Sequence, residues 1–353
     1  MIYLIPDSET LQHALYPFTA TRPCWDIRIG ILTIREKWEY LLGVMLNPDD
    51  MGGAAVLAVR PSSRIISIPG NWIPAPEMIK SLNAGEPLQP AQTLEHPWDI
   101  FRLNDWALRQ DFEILTRKRV SQPLPESVQV TGAAQIFVEK GAVLSHCTLN
   151  ATTGPIYIGK NTEIMEGAHI RGPFALCEGS VVKMGTCIYG ATTIGPGCVV
   201  GGEIKNSILF GHSNKGHEGY LGDSVIGEWC NLGAGTSVSN VRNTASPVKV
   251  WSAATHDYQE AGLKCGLLMG DYSRAAINTS FNTGTVVGVS CNIFCSQLTP
   301  KFIPDFTWMG ENPDQYHWDN ALRDISNWKA LKKQALLEPE INKLSALYKK
   351  RWG

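Results

Sequence analysis

From Ile158 onward the aliphatic side chains recur every six positions, at Ile158, Ile164, Ile170, Leu176, Val182, Ile188, Ile194 and Val200. The same step returns at Ile226, Leu232 and Val238, and again at Met269, Ala275, Phe281, Val287 and Ile293. An α-helix repeats near 3.6 residues and an ordinary strand near two, so neither generates this register. A period of six sends one side chain per short strand into a narrow triangular prism, with three hexads to a coil. Glycine often follows the aliphatic residue, as in Ile158-Gly159, Ile194-Gly195, Ile226-Gly227 and Leu232-Gly233. Glycine and asparagine suit the tight corners such a coil needs. One coil cannot bury its own inner face, so coils must stack, about 4.8 Å apart. The pattern predicts a mainly β chain: a left-handed parallel β-helix of hexapeptide repeats from about Pro125 to Pro300, roughly eight coils. A regular β-sandwich is the competing reading, but it has no reason to hold a six-residue register over eight positions.

Two stretches leave the register. Gly211–Tyr220 is glycine-rich without aliphatic positions, and Arg242–Lys264 is a longer interruption. Loops on a rigid scaffold are where binding chemistry is usually placed. Outside the repeat, Ile2–Ile5 reads as a buried strand and Leu32–Leu42 as an amphipathic helix. Pro97–Arg119 reads as a helix leading into the repeat, ended by Pro123 and Pro125. After the repeat, Asp319–Leu337 has helical spacing, Glu338-Pro339 breaks it, and Ile341–Trp352 forms a second, basic helix. The expected organisation is a small α/β domain over 1–105, a linker helix over 106–123, the β-helix over 124–310 and a helical segment over 311–353.

Composition narrows the partners. The 353 residues carry a net charge of −2, which points neither to nucleic acid nor to an anionic membrane surface. The basic last helix is expected to pack on its own domain rather than on a membrane. No apolar run reaches the 18 residues of a membrane span, and the first residues lack a signal-peptide pattern, so a cytoplasmic protein is expected. The nine cysteines include no CxxC pair, and reduced, mostly buried thiols are expected. Of eleven tryptophans only Trp229 and Trp251 fall in the repeat, as a narrow prism interior requires.

The segment Ser213–Thr236, SNKGHEGYLGDSVIGEWCNLGAGT, resembles the acetyltransferase half of the bifunctional N-acetylglucosamine-1-phosphate uridylyltransferase/glucosamine-1-phosphate acetyltransferases. With Thr21–Trp38, Leu176–Met184 and Phe281–Val289, the chain is more similar still to a bacterial GlmU-like branch of sugar nucleotidyltransferases related to that enzyme. The resemblance implies acyl transfer from acetyl-CoA to the amine of a hexosamine 1-phosphate, in the synthesis of sugar nucleotides for cell-wall or surface polysaccharide. It assigns His217 as general base and Glu203 as its acidic partner. It assigns Lys183, Lys205, Tyr220 and Asn231 to the sugar phosphate, and Ala234 and Asn240 to the neighbourhood of the acyl group. It also implies a homotrimer. Histidine suits the role, since an ammonium must lose a proton before attack and an imidazole titrates near neutrality. Each residue also has a plain structural reading: a solvated loop histidine, a surface pair Glu203–Lys205, a corner Asn231, a loop-capping Tyr220. Val241 stands where the family carries a tyrosine.

The N-terminal part departs from the pattern. Nucleotidyltransferases of this kind place a glycine-rich loop after the first strand, where backbone N–H groups meet phosphates. Here no glycine occurs before Gly30, and the catalytic lysine expected after Arg22-Pro23 is Cys24. About 105 residues are also too few for a full doubly wound sheet. A reduced domain is expected, with Arg22, Asp26 and Arg28 in structural ion pairs, and Mg²⁺ enters only if nucleotidyl transfer survives. Three functions remain open: the acetyltransferase, a UTP- or dTTP-dependent sugar-1-phosphate nucleotidyltransferase, and a non-catalytic scaffold or sugar-nucleotide-binding subunit.

Overall fold

The computed structural model describes residues 2–5, 8–43, 55–57 and 66–353. Its body is a three-faced parallel β-solenoid, in which Ile158 pairs with Leu176 and Leu176 with Ile194, three hexads apart. Every aliphatic position of the predicted register lies in one continuous interior cluster. One face, the domain face, stacks nine strands from Ile136–Val138 to Phe302–Ile303. The second, the helix face, runs from Val143–Leu144 to Thr307–Met309 and closes on the antiparallel strand Pro313–Gln315. The third, the open face, stacks six strands from Gln129–Thr131 to Tyr220–Gly222. The solenoid is longer than the eight coils expected. It continues past Pro300 because Ile303 and Met309 fill the interior without glycine-marked hexads around them.

The interruption at Arg242–Lys264 is an ordered hairpin, Lys249–Ser252 paired with Asp257–Glu260. It lies beside the domain face, where Val248 and Val250 are buried with the N-terminal residues.

The described residues of the N-terminal part share their core with the solenoid. Leu15, Phe18, Trp25, Trp38, Trp98 and Phe101 share a cluster with Ile208, Phe210, Val225, Leu268 and Val286 of the domain face. Its small sheet sets Ile2–Ile5 between an antiparallel strand, Ala55–Leu57, and a parallel one, Ile66–Pro69. The side chains of Ile2–Ile5 fall outside the described residues, as do Pro6 and Asp7 of the segment that replaces the glycine loop. The helix expected at Leu32–Leu42 starts two residues later, at Ile34. Thr33 caps it in a reciprocal box with Glu36, while Leu32–Thr33 pairs as a short strand with Arg28–Ile29. The linker is two helices, Asp99–Arg102 and Asn104–Thr116.

At the C-terminus the first helix, Trp318–Leu331, ends earlier than expected, and Glu338-Pro339 opens the second helix rather than ending the first. Proline at the start of a helix forfeits an N–H that has no intrahelical partner anyway. Both helices pack on Trp229, Tyr272, Val289 and Phe306 at the corner between the domain and helix faces. Among the described residues no helix is long and apolar enough to cross a membrane. Seven of the nine cysteines are buried, Cys187 is exposed and Cys295 half-buried.

Candidate functional site

The glycine-rich break at Gly211–Tyr220 does not leave the solenoid. Asn214–Lys215 continues the helix face, pairing with Val199–Val200, and Tyr220–Gly222 resumes on the open face. Residues 216–219 form the corner between them. Lys215 therefore occupies an interior position, stacked on Val200, and is 1% exposed. Its ammonium donates to the carbonyl oxygens of Gly201, at 3.2 Å, and His217. Burial lowers its pKa from the ordinary 10.5 to about 8. The sequence pattern missed this residue, although Lys215 follows two strands whose inward positions are Val182 and Val200.

The corner is held from both sides. A Cβ on Gly202, at φ +75°, would lie 2.7 Å from the His217 carbonyl oxygen, and one on Gly201 would lie 2.9 Å from the Gly216 carbonyl carbon. Gly219, at φ +116°, lies against the backbone of Thr236 in the next coil. Only glycine accepts these approaches. His217 thus sits exposed on a corner whose backbone is fixed, and among the described residues its imidazole has no protein partner.

The open face beside this corner carries most of the residues singled out above. Glu203 and Lys205 lie on one strand, directly paired with Tyr220 and Gly222 on the next. The Glu203 carboxylate accepts the hydroxyl proton of Tyr189, one coil below, rather than a hydrogen bond from His217. That bond pushes the Tyr189 pKa up to about 12. Lys205 places its ammonium over the Tyr189 ring, 5.6 Å from the centroid. Lys183 also belongs here, because its stem passes beside Gly216.

Tyr220 lies back over Gly222, and its hydroxyl accepts the Asn240 amide at 3.2 Å. Asn240 donates to Asp223 as well, at 2.5 Å, and Asp223 accepts a further bond from Asn206 at 2.7 Å. Burial is the larger cause of a Tyr220 pKa near 12, and the Asp223 charge adds to it. Asn240 is accordingly committed to Tyr220 and Asp223. Ala234 occupies the equivalent corner one coil on, where Gly235 N–H donates to Glu218 at 3.1 Å. Asn231 does not join the cluster. It lies on the helix face, accepting the Asn214 amide at 3.4 Å, and Asn214 in turn accepts from Lys332, the residue just after the helix Trp318–Leu331, at 3.0 Å. Tyr189 and Asp223 were missed by the sequence reading. Their only signal was register, since Tyr189 is three hexads after Arg171 and pairs with Lys205.

The open face continues below this cluster into a cleft of about 580 Å³ that runs along Tyr189, Cys187, Arg171 and His169. In the N-terminal part the expected ion pairs are present. Arg22 bonds Asp271 and lies 3.1 Å from Glu228, both solenoid residues, while Asp26 bonds Arg35 and Arg28 lies 3.5 Å from Glu36. Cys24 is fully buried. No group of three metal-binding side chains exists among the described residues.

Residues 3–89 match the sugar nucleotidyl transferase family. The bifunctional protein GlmU of Methanocaldococcus jannaschii is 29% identical over 213 residues, covering 60% of this chain and 46% of that protein. A bifunctional sugar-1-phosphate nucleotidylyltransferase/acetyltransferase of Sulfurisphaera tokodaii is 29% identical over 198 residues, 56% of this chain and 43% of that one. A UDP-N-acetylglucosamine acyltransferase of Francisella novicida shows a remote likeness, 11% identical over 64% of this chain and 76% of that one, at a TM-score of 0.27. The chain is similar to GlmU-type bifunctional proteins and spans a little under half the length of these two curated relatives.

Proposed function

We propose that this protein is an acyltransferase that moves an acetyl group from acetyl-CoA to the amine of a hexosamine 1-phosphate. The observation that carries the reading is an exposed imidazole on a rigid corner, without a protein partner among the described residues, with the Lys183 stem beside that corner and Lys205 on the neighbouring open-face strand. His217 takes a proton from the substrate ammonium, and the freed amine attacks the thioester carbonyl. The new C–N bond forms and the attached nitrogen gives up its extra proton to solvent; the C–S bond breaks as the tetrahedral intermediate collapses, and the imidazolium protonates the leaving thiolate, so one proton is released overall. Lys183 and Lys205 supply point charges for the phosphate. Glu203 acts here through Tyr189, fixing the floor on which the sugar ring rests, and Tyr220 presents its ring edge beside it.

Asn240 and Ala234 frame the corner where the acyl group would enter. Because the Asn240 amide is engaged, its part is to hold Tyr220 rather than to meet the acetyl oxygen. The domain and helix faces are covered by the chain's own termini, which leaves the open face for contact between copies in a homotrimer. The bifunctional names of the relatives and the match over residues 3–89 favour a second reading, sugar-1-phosphate nucleotidyl transfer. Against it stand the absent glycine loop, the buried Cys24 and the commitment of Arg22 to Asp271.

The test is release of free CoA thiol with a panel of hexosamine 1-phosphates. Thiol release that requires an amino sugar and falls at least a thousandfold in His217→Ala is the expected result. Folded protein that releases no thiol with any acceptor would overturn the reading. Pyrophosphate release from UTP or dTTP in the same preparation would support the second.

A further inference from the structure

Far from the His217 corner in sequence, three elements enclose a second cleft of about 540 Å³, between the helix Glu9–Ala14, the hairpin Lys249–Glu260 and the last helix. This size is typical of small-molecule sites. One wall is aromatic. Trp251 stacks on Phe302 with centroids 5.0 Å apart and an interplanar angle of 20°, and Tyr16 meets Phe302 edge-on at 6.4 Å. These rings come from the hairpin, the solenoid and the N-terminal part, yet all line one cavity, and Trp251 and Phe302 are only half-buried.

The opposite rim is basic. His13, Lys350 and Arg351 line it, with Glu9 and Asp305, while His256 belongs to the aromatic side, its ring edge-on to Trp251 at 6.4 Å. Asp305 is already committed, accepting bonds from the Tyr16 hydroxyl at 2.8 Å and Val289 N–H at 2.7 Å. Burial raises its pKa, while its bonds to Val289 and Tyr16 and the nearby charges of Arg351 and Lys350 act the other way. Lys350 and His13 meet at 3.5 Å, two basic groups converging from opposite ends of the chain. An anion placed there would satisfy both.

From this juxtaposition of an aromatic wall and a convergent basic rim, we propose that the cleft binds a nucleoside phosphate, its base against Trp251 and Phe302 and its phosphate between His13, Lys350 and Arg351. Base stacking on aromatic side chains and phosphate capture by cations are the two chemistries such a ligand needs. None of these residues belongs to the proposed acetyltransferase cluster, so the inference stands independently of it.

The experiment is calorimetric titration of the full chain with UMP, UDP and ADP, beside uridine, adenosine and inorganic phosphate. Saturable binding of at least one nucleotide is expected, at least tenfold tighter than its nucleoside or inorganic phosphate. The exposed charge reversal Lys350→Glu/Arg351→Glu should weaken it tenfold or more, and Trp251→Leu should do likewise, while His217→Ala leaves it unchanged. No saturable binding to the folded parent protein overturns the proposal. So does nucleotide binding that both cleft variants leave intact, or inorganic phosphate binding as tightly as the nucleotides.

Discussion

Lys215 shows how one residue can be misread when only its neighbours in sequence are considered. In the linear pattern it belongs to a polar, glycine-rich gap. In the stack it takes the inward position above Val200 and reaches two carbonyl oxygens at the corner. An ammonium held in an apolar interior disfavours its charged form. The folded pKa of about 8 lies below the ordinary 10.5, so between these values the unfolded chain binds more protons than the folded one. Stability therefore rises with pH across that window, and the full penalty is present below it. Thermal melts of the parent and Lys215→Met from pH 7 to 10 should show the parent gaining on the variant as pH rises, by up to about 3 kcal/mol. A pH-independent difference would show that the folded chain holds this proton as firmly as the unfolded one, so that burial does not lower the lysine's pKa. His217, one corner residue away, was legible from its motif. Its lack of a protein partner among the described residues was not, because the acid expected beside it is bonded to Tyr189 instead.

At the scale of elements, the corner 216–219 depends on glycines above and below it more than on its own side chains. Gly202→Ala adds a methyl within 2.7 Å of the His217 carbonyl oxygen at a φ of +75°. Backbone strain of this kind costs roughly 1–3 kcal/mol and is relieved by moving the corner. The variant is expected to fold, with a melting temperature lowered by a few degrees, and to lose at least tenfold in thiol release. Unchanged activity would mean that the position of the imidazole is not set by the corner. The helical elements teach a different lesson about boundaries. Glu338-Pro339 looks like a stop from sequence, yet proline is equally suited to begin a helix, and packing of Leu344 against the solenoid corner decided which.

Across the whole molecule, the expected partition into an N-terminal domain, a linker and a solenoid is blurred by shared contacts. Asn104 is fully buried, accepting from Gly30 N–H at 2.7 Å and donating to Ala191 of the solenoid at 2.9 Å. Asp111 sits between Lys37 and the N–H groups of Ile31, at 2.7 Å, and Leu32, at 3.1 Å, and both charged partners are buried. Desolvation raises the Asp111 pKa and lowers that of Lys37. Removing one member leaves the other charge buried without a partner. Asp111→Ala should therefore destabilise by roughly 3–5 kcal/mol. Denaturant unfolding followed by tryptophan fluorescence, which samples Trp25, Trp38 and Trp98 around this junction, should register the loss. A change below about 0.5 kcal/mol, the range of ordinary surface substitutions, would show that the pair does not join the parts.

By itself the sequence determined the solenoid, its aliphatic interior residues and the glycine-rich stretch that carries His217. A strict period of six fits no other regular structure, and each inward position reports its own burial. The hairpin over the domain face, the fusion of the N-terminal core with the solenoid, the Tyr189–Glu203 and Asp223–Asn240–Tyr220 bonds, and the second cleft were decided only in three dimensions. Each joins residues from different coils or opposite ends of the chain, whose meeting depends on how coils are counted through insertions and on which faces the termini cover. A local pattern carries information about one face of one element, and these features arise where faces meet.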